Sequence, residues 1–303
     1  MADTSLFGDL LEPGFREIYY DRFSEVPMKM ESIFHVKNSS KQDEKDSSVS
    51  GFGYLQELAQ EEAVQYEDPI QGFDKTYRHK KYGKGFKITE EMYDDDLYNI
   101  MNKKPAALAR STRRTFEYQG ASVFNNAFST SYLGGDSKPL VSTSHPRTDG
   151  GTAQSNASAT GVVFNEPNLE VARLASLNQL DEKGMKIDVT VDTILVNPAL
   201  GKSAHLVVDS PLRSGTADND VNVNKGNWKI IEWIYLSSTT AWFLLDSKLH
   251  ELTWFFRKRP TFKQYDAFDT DVAKYKVTTR FSNGWSDYRG VWGSKGDTVA
   301  YAS

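Results

Sequence analysis

Phe73-Asp74-Lys75-Thr76-Tyr77-Arg78-His79-Lys80-Lys81-Tyr82-Gly83-Lys84-Gly85-Phe86-Lys87-Ile88, continued by Thr89-Glu90-Glu91, is the run from which the architecture unfolds. It places an aromatic ring or a cation at almost every step, so neither face of an extended strand is apolar enough to pack a core of its own. Phe73, Lys75, Tyr77 and His79 share one face, whereas Tyr82, Lys84, Phe86 and Ile88 have the opposite parity, which predicts a bulge or twist near residues 80–83. Residues 63–67 are expected as the outgoing strand, with Asp68-Pro69-Ile70-Gln71-Gly72 as the turn of a two-stranded hairpin. Such a hairpin needs another surface to lie on, and the chain reads as a subunit completed by its neighbours.

Beyond the hairpin the pattern turns helical. Thr89 is a good N-cap, and Glu90 and Glu91 fall in the first turn, where the helix dipole favours anions. That helix is expected to end near Met101. Pro105 suits a first helical position, and Leu108, Phe116, Val123, Phe124, Ala127 and Phe128 form an apolar stripe, predicting a second helix over 105–128, a rod of roughly 36 Å. Charge is segregated along this region: residues 74–87 carry six Lys or Arg against one Asp, and residues 90–96 carry five acids and no base. Adjacent blocks of opposite sign favour pairing between elements or between copies.

Outward from there, Phe15, Ile18, Tyr19 and Phe23 recur at helical spacing over 14–23, and residues 37–50, nearly all Ser, Lys, Asp and Glu, read as a flexible joint. Residues 134–161 have loop composition. A compact α/β region is expected next, with helices over 169–180 and 199–208, strands over 186–196, 228–236 and 241–245, and a polar loop over 210–227. Residues 250–299 are rich in β-branched and aromatic residues and read as strands.

Composition narrows the function. At 303 residues, 39% hydrophobic and 25% charged, the chain folds, and it has room for two folding regions with appendages. A net charge of −5 argues against general affinity for nucleic acid. No cysteine is present, which removes disulfides, thiolate nucleophiles and cysteine metal sites and fits a reducing compartment. There is no signal peptide pattern and no apolar run long enough to span a membrane, so synthesis in the cytoplasm is expected, and the Asn38-Ser39-Ser40 and Asn156-Ala157-Ser158 sequons carry no glycan.

The chemical motifs are weak. Val196-Asn197-Pro198-Ala199-Leu200-Gly201-Lys202-Ser203 ends like a phosphate loop, but valine stands at the leading glycine position and Pro198 removes an amide; a plain strand-to-helix turn is the better reading over a nucleotide-dependent enzyme. The acids of residues 90–96 spread around a helix instead of converging on a metal, the five histidines lack paired spacing, and Ser142, Ser144, His145 and Asp149 lie close in sequence without a nucleophile elbow. Residues 77–82 look like an aromatic and basic nucleic-acid stripe, against which stands the blander role of edge lysines that discourage wrong pairing. The expectation is a protein with no catalytic, cofactor or metal site.

Three runs, Asp68-Pro69-Ile70-Gln71-Gly72-Phe73, then Lys84 to Tyr98 (KGFKITEEMYDDDLY), then Pro105-Ala106-Ala107-Leu108-Ala109-Arg110-Ser111, together with Asn125-Asn126-Ala127-Phe128, residues 212–220 and residues 281–290, make the chain resemble the Mu-like major head subunit family of tailed phages over nearly its whole length. Ser214 departs from the family's proline, and residues 37–50 are a long insertion. The resemblance implies an α+β fold, the tailed-phage major capsid (Johnson) fold. It has an N-terminal arm (1–50), an extended loop (51–89), a peripheral domain (90–160 and 246–303) with a spine helix over about 105–128, and an axial domain (161–245). It implies a major capsid protein that self-assembles into pentamers and hexamers of an icosahedral virion shell around double-stranded DNA held without sequence recognition. The alternative is the shell of an encapsulin-like cellular nanocompartment. Scaffold, portal and possible decoration proteins are the implied partners, the scaffold a separate protein because the chain opens directly at Met1. The expected intersubunit contacts are Phe73, Tyr77, Arg78, Lys80, Lys81, Tyr82 and Phe86 from the hairpin, Asp94, Asp95 and Asp96 as their acidic counterpart, and Asp218 and Asp220 beside the capsomer axes.

Overall fold

The computed structural model describes residues 6–49, 51–69, 71–89, 91–92, 101–213, 220–267 and 272–301. The chain packs as two compact units, Met1–Glu44 with Tyr77–Gly120 and Trp254–Asn283, and Lys45–Thr76 with Ala121–Thr253 and Gly284–Ser303. Within the second unit Phe124 lies 5.2 Å from Phe243, and residues 291–294 pair in register with residues 242–245.

In the first unit, helix α1 (Leu6–Ser24) carries on through Pro13 and starts earlier than the apolar spacing suggested. A short helix α2 (Lys29–Ile33) leads into strand β1 (His35–Asn38). The four-stranded sheet has the order β1-β8-β9-β4, where β4 is Lys80–Thr89, β8 is Leu252–Ala267 and β9 is Val272–Trp285. Helix α3 (Lys103–Asn125) supplies Leu108 and Phe116 to the core, as its stripe predicted, together with Ala109, which the stripe did not include, and ends three residues before Phe128. Phe116 is the centre of an aromatic cluster: Phe23, Trp254, Phe256 and Phe281 all lie within 6.1 Å of it, and Trp254 stacks on Phe281 at 4.6 Å. A second cluster gathers Phe15, Tyr19, Ile88, Phe262, Tyr275 and Val277, and burial pushes the Tyr19 phenol up to about 12.

The second unit is built on the sheet β10-β7-β5-β6. Its strands β5 (Thr193–Val196), β7 (Trp242–Leu245) and β10 (Val291–Ser294) are buried at every position, the pattern of strands covered on both faces. Helices α4 (Glu166–Leu177) and α5 (Pro198–Val208) contribute to its core, with Ala172, Ala204 and Val208 packed among Trp242, Leu244 and Trp292. β5 and β6 (Lys229–Glu232) are parallel, as their connection through α5 requires. Each helix opens on asparagine: Asn165 accepts from the Asn168 amide and Asn197 from the Ala199 amide.

The hairpin differs from its sequence reading. Residues 63–69 form no strand; the partner of β3 (Gln71–Arg78) is β2 (Asp43–Val49), in a two-stranded ribbon. Residues 37–50, expected as a flexible joint, are therefore largely strand. DEKDSSV has no apolar period, and its pairing rests on the backbone ladder and on Asp74, whose carboxylate meets Lys45 Nζ at 2.6 Å and accepts from Ser47 Oγ at 2.5 Å. Those two neighbours hold the Asp74 carboxyl down at about 2.

Candidate functional site

β3 and β4 are separated by a single residue, His79, where the sequence predicted a slip slightly later. Its ring is buried, with Nε2 3.1 Å from Ser39 Oγ and Nδ1 3.0 Å from Ser282 Oγ. Burial lowers the imidazole below its usual range; Glu44 and Asp43 oppose that shift, and Arg280 and Arg257 reinforce it. A depressed folded-state value means that protonation works against folding. The stability is complete above the ordinary value of 6.5 and is lost as pH falls through the lowered one. Thermal melts from pH 7 downward should show His79→Gln holding its transition while wild type loses ground; parallel curves would refute this role.

The strand that was expected to lack a core has one. In β4, Tyr82 stacks on Phe281 at 4.6 Å, Phe86 on Tyr275 at 5.1 Å, and Ile88 is fully buried. Tyr77, at the end of β3, is 3% exposed against Phe255. The aromatic residues Tyr77, Tyr82 and Phe86 are thus used to seat the strand in its own subunit, and β9 is the surface it needed. Phe73 is half-buried, whereas Arg78, Lys80 and Lys81 are exposed. Asp94, Asp95, Asp96 and Asp218 lie outside the described residues. Asp220 is exposed at the base of the 210–227 loop, which is closed by a Leu212–Val221 bridge and the Arg213 amide donating to the Asp220 carbonyl at 2.8 Å.

Register fixes what the sheet shows to solvent. Lys81 pairs with Arg280, Gly83 with Thr278, Gly85 with Lys276 and Lys87 with Lys274, and paired residues share a face. Tyr82, Phe86, Ile88, Tyr275 and Val277 alternate to the other face and into the core. The outer face is a row of cations over bare glycine backbone. Lys258 and Lys263 of β8 join it around an open groove of about 570 Å³, which His79, Lys81, Lys276 and Arg280 also line.

The second unit holds a polar knot that the sequence did not announce. Asn156 is fully buried: its Nδ2 donates to the carbonyls of Leu140 (2.8 Å) and Val291 (3.1 Å), and its Oδ1 accepts from the Ser142 amide (2.9 Å). His145 places Nε2 3.1 Å from the same Oδ1 and Nδ1 2.6 Å from Asp136, and stacks on Tyr288 at 3.7 Å. With both ring nitrogens engaged, His145 has none for a serine nucleophile. Gly201 and Lys202 lie inside α5 behind its Asn197 cap, which is helix backbone and no phosphate cradle. Among the described residues no group of three His, Asp or Glu could hold a metal ion, and no helix is long and apolar enough to cross a membrane.

A family model described as "Phage capsid protein" matches residues 72–294, and the chain belongs to that family. It is a phage capsid protein, a structural component of the virion shell. Solved structures share the fold at low identity. A bacteriophage JBD30 capsid chain is 13% identical with a TM-score of 0.56, covering 70% of this chain and 92% of that one. The capsid of an empty GTA particle is 13% identical at 0.55, covering 90% and 89%. A chain of Microbacterium phage Oxtober96 is 10% identical at 0.54, covering 89% and 91%. The α+β capsid fold expected from the sequence is the one observed. None of the curated proteins compared matches the chain.

Proposed function

We propose that this chain is the major head subunit of a tailed phage of the Mu-like branch, assembling into pentamers and hexamers of an icosahedral shell around double-stranded DNA. The family match across residues 72–294 is the observation that carries this reading. It favours a phage head over a cellular nanocompartment. The subunit acts by assembly and not by catalysis, is made in the host cytoplasm, and works with scaffold and portal proteins, with decoration proteins as possible further partners. The first unit with its spine helix α3 corresponds to the peripheral domain and most of the second to the axial domain.

The contacts proposed are the exposed Arg78, Lys80 and Lys81 with half-buried Phe73 from the β3–β4 segment, exposed Asp220 beside the capsomer axis, and, outside the described residues, Asp218 at that axis and Asp94, Asp95 and Asp96 at an acidic contact. Sizing chromatography and negative-stain microscopy of the purified chain test the reading, with capsomers or closed particles expected. A chain that stays a 34.2 kDa monomer under every assembly condition would overturn it.

A further inference from the structure

In the second unit the end of α3, the turn over residues 236–241 and residues 295–297 enclose a hollow of about 330 Å³. Its floor is apolar. Phe124, Leu236, Ala241 and Phe243 are buried there and Phe128 is half-buried. Phe124 meets the Phe243 ring edge-on at 5.2 Å, and Phe128 stacks on the same ring at 5.6 Å. The walls are tied to one another. Asn125 Nδ2 donates to the Tyr235 carbonyl at 3.0 Å and its Oδ1 accepts from the Ser237 amide at 2.9 Å, while the Thr240 hydroxyl donates to the Lys295 carbonyl at 2.8 Å. The hollow is therefore preformed, as small-molecule sites are.

Most polar groups of its rim are spent inside the fold. Ser238 Oγ accepts from the Thr240 and Ala241 amides at 3.3 and 3.0 Å, and Ser129 Oγ from the Ser131 amide at 3.3 Å. Asp297, the one acid of the lining, accepts from the Val299 amide at 3.1 Å through Oδ1, the oxygen that lies against Gly161. Two groups are left over. Among the described residues the Ser237 hydroxyl has no hydrogen-bond partner and Lys295 Nζ no carboxylate; the ammonium stands over the rings of Phe128 at 5.8 Å and Tyr301 at 5.2 Å. An unneutralised cation beside an apolar hollow selects a ligand that is a ring at one end and a negative charge at the other.

We propose that this hollow binds a small aromatic anion, an aryl carboxylate or sulfonate, with its ring among Phe124, Phe128 and Phe243 and its charged group on Lys295 Nζ and the Ser237 hydroxyl. The volume lies at the small end of ligand pockets, roughly 300–1,000 Å³, and so favours one or two fused rings over a peptide. A ligand there bridges three segments far apart in sequence, and its occupancy stabilises the folded chain by mass action. The site needs one folded subunit and does not depend on the capsid reading.

Naphthalene-1-sulfonate, titrated calorimetrically into the purified full-length chain, is the probe. One site per chain is expected, and saturating probe should raise the melting temperature. Lys295→Glu should weaken binding roughly tenfold or more, and Lys295→Arg should largely keep it, because hydrogen bonds to charged groups are the strong ones. Uncharged 1-naphthalenemethanol should bind roughly tenfold more weakly for the same reason. Ala241→Phe fills the hollow from its floor and should abolish binding; if that variant does not fold, Ser237→Phe closes the entrance from the exposed rim. No heat and no melting shift at millimolar probe, equal affinity for the charged and uncharged probes, or binding that survives Lys295→Glu or the filling variants in natively melting chains would overturn the inference. So would a probe that binds free subunits but is shut out of assembled particles, which would give the hollow to a side chain of a neighbouring copy.

Discussion

Trp254→Ala should cost about 3–5 kcal/mol, the range for deleting a large buried aromatic side chain, and should lower the cooperative unfolding of the first unit. Trp254 is fully buried and in ring contact with Phe34, Phe116, Phe256 and Phe281, so its removal opens a cavity walled on several sides by rings that cannot all collapse inward. Trp254→Phe separates volume from chemistry. The indole Nε1 has no hydrogen-bond partner, so phenylalanine loses some contact but also removes a buried orphan donor. Calorimetry should place Trp254→Phe well above Trp254→Ala; equal losses would mean that ring packing is not what holds this core.

Asn156→Ala should be comparably severe, about 3 kcal/mol or more, through a different cause. The side chain satisfies the Leu140 and Val291 carbonyls, the Ser142 amide and His145 Nε2. Alanine strands all four in a buried site, and an unmet buried polar group costs roughly 1–3 kcal/mol. Asn156→Asp keeps the shape but loses both donors, so it should not rescue. Ser155→Ala, one residue away with its hydroxyl on the Ala157 carbonyl at the surface, should stay within about 0.5 kcal/mol of wild type. Denaturant titration compares the three; a mild Asn156→Ala would show that water replaces the amide.

How far the sequence led depends on what each element offers to read. The stripe of α3 and the buried runs of β5 and β7 are legible as apolar spacing, because those elements bury one or both faces. β2 gives no such sign: DEKDSSV is held by its ladder and by charged neighbours, and composition alone makes it look unstructured. β8 continues through Arg257-Lys258-Arg259-Pro260, which reads as a strand end. Of the expected contacts, the cations Lys80 and Lys81 are where a partner could reach them, whereas Tyr77 is buried and Tyr82 and Phe86 are half-covered by rings of β9 that lie far away in sequence. The basic face is invisible for the same reason: register, and not proximity along the chain, sets Lys81 beside Arg280. Asn156 reads as an idle sequon, and nothing near it in sequence signals the four groups it joins.

The exposed segment 51–69 also has a consequence in time. Those nineteen residues form no strand, only a turn at Ala59–Glu62, and they leave Leu55 and Tyr66 bare, the kind of exposed segment that proteases cut first. Burying that segment in a shell would take the substrate away, so slow assembly should leave more subunits clipped between residues 51 and 69 than fast assembly does.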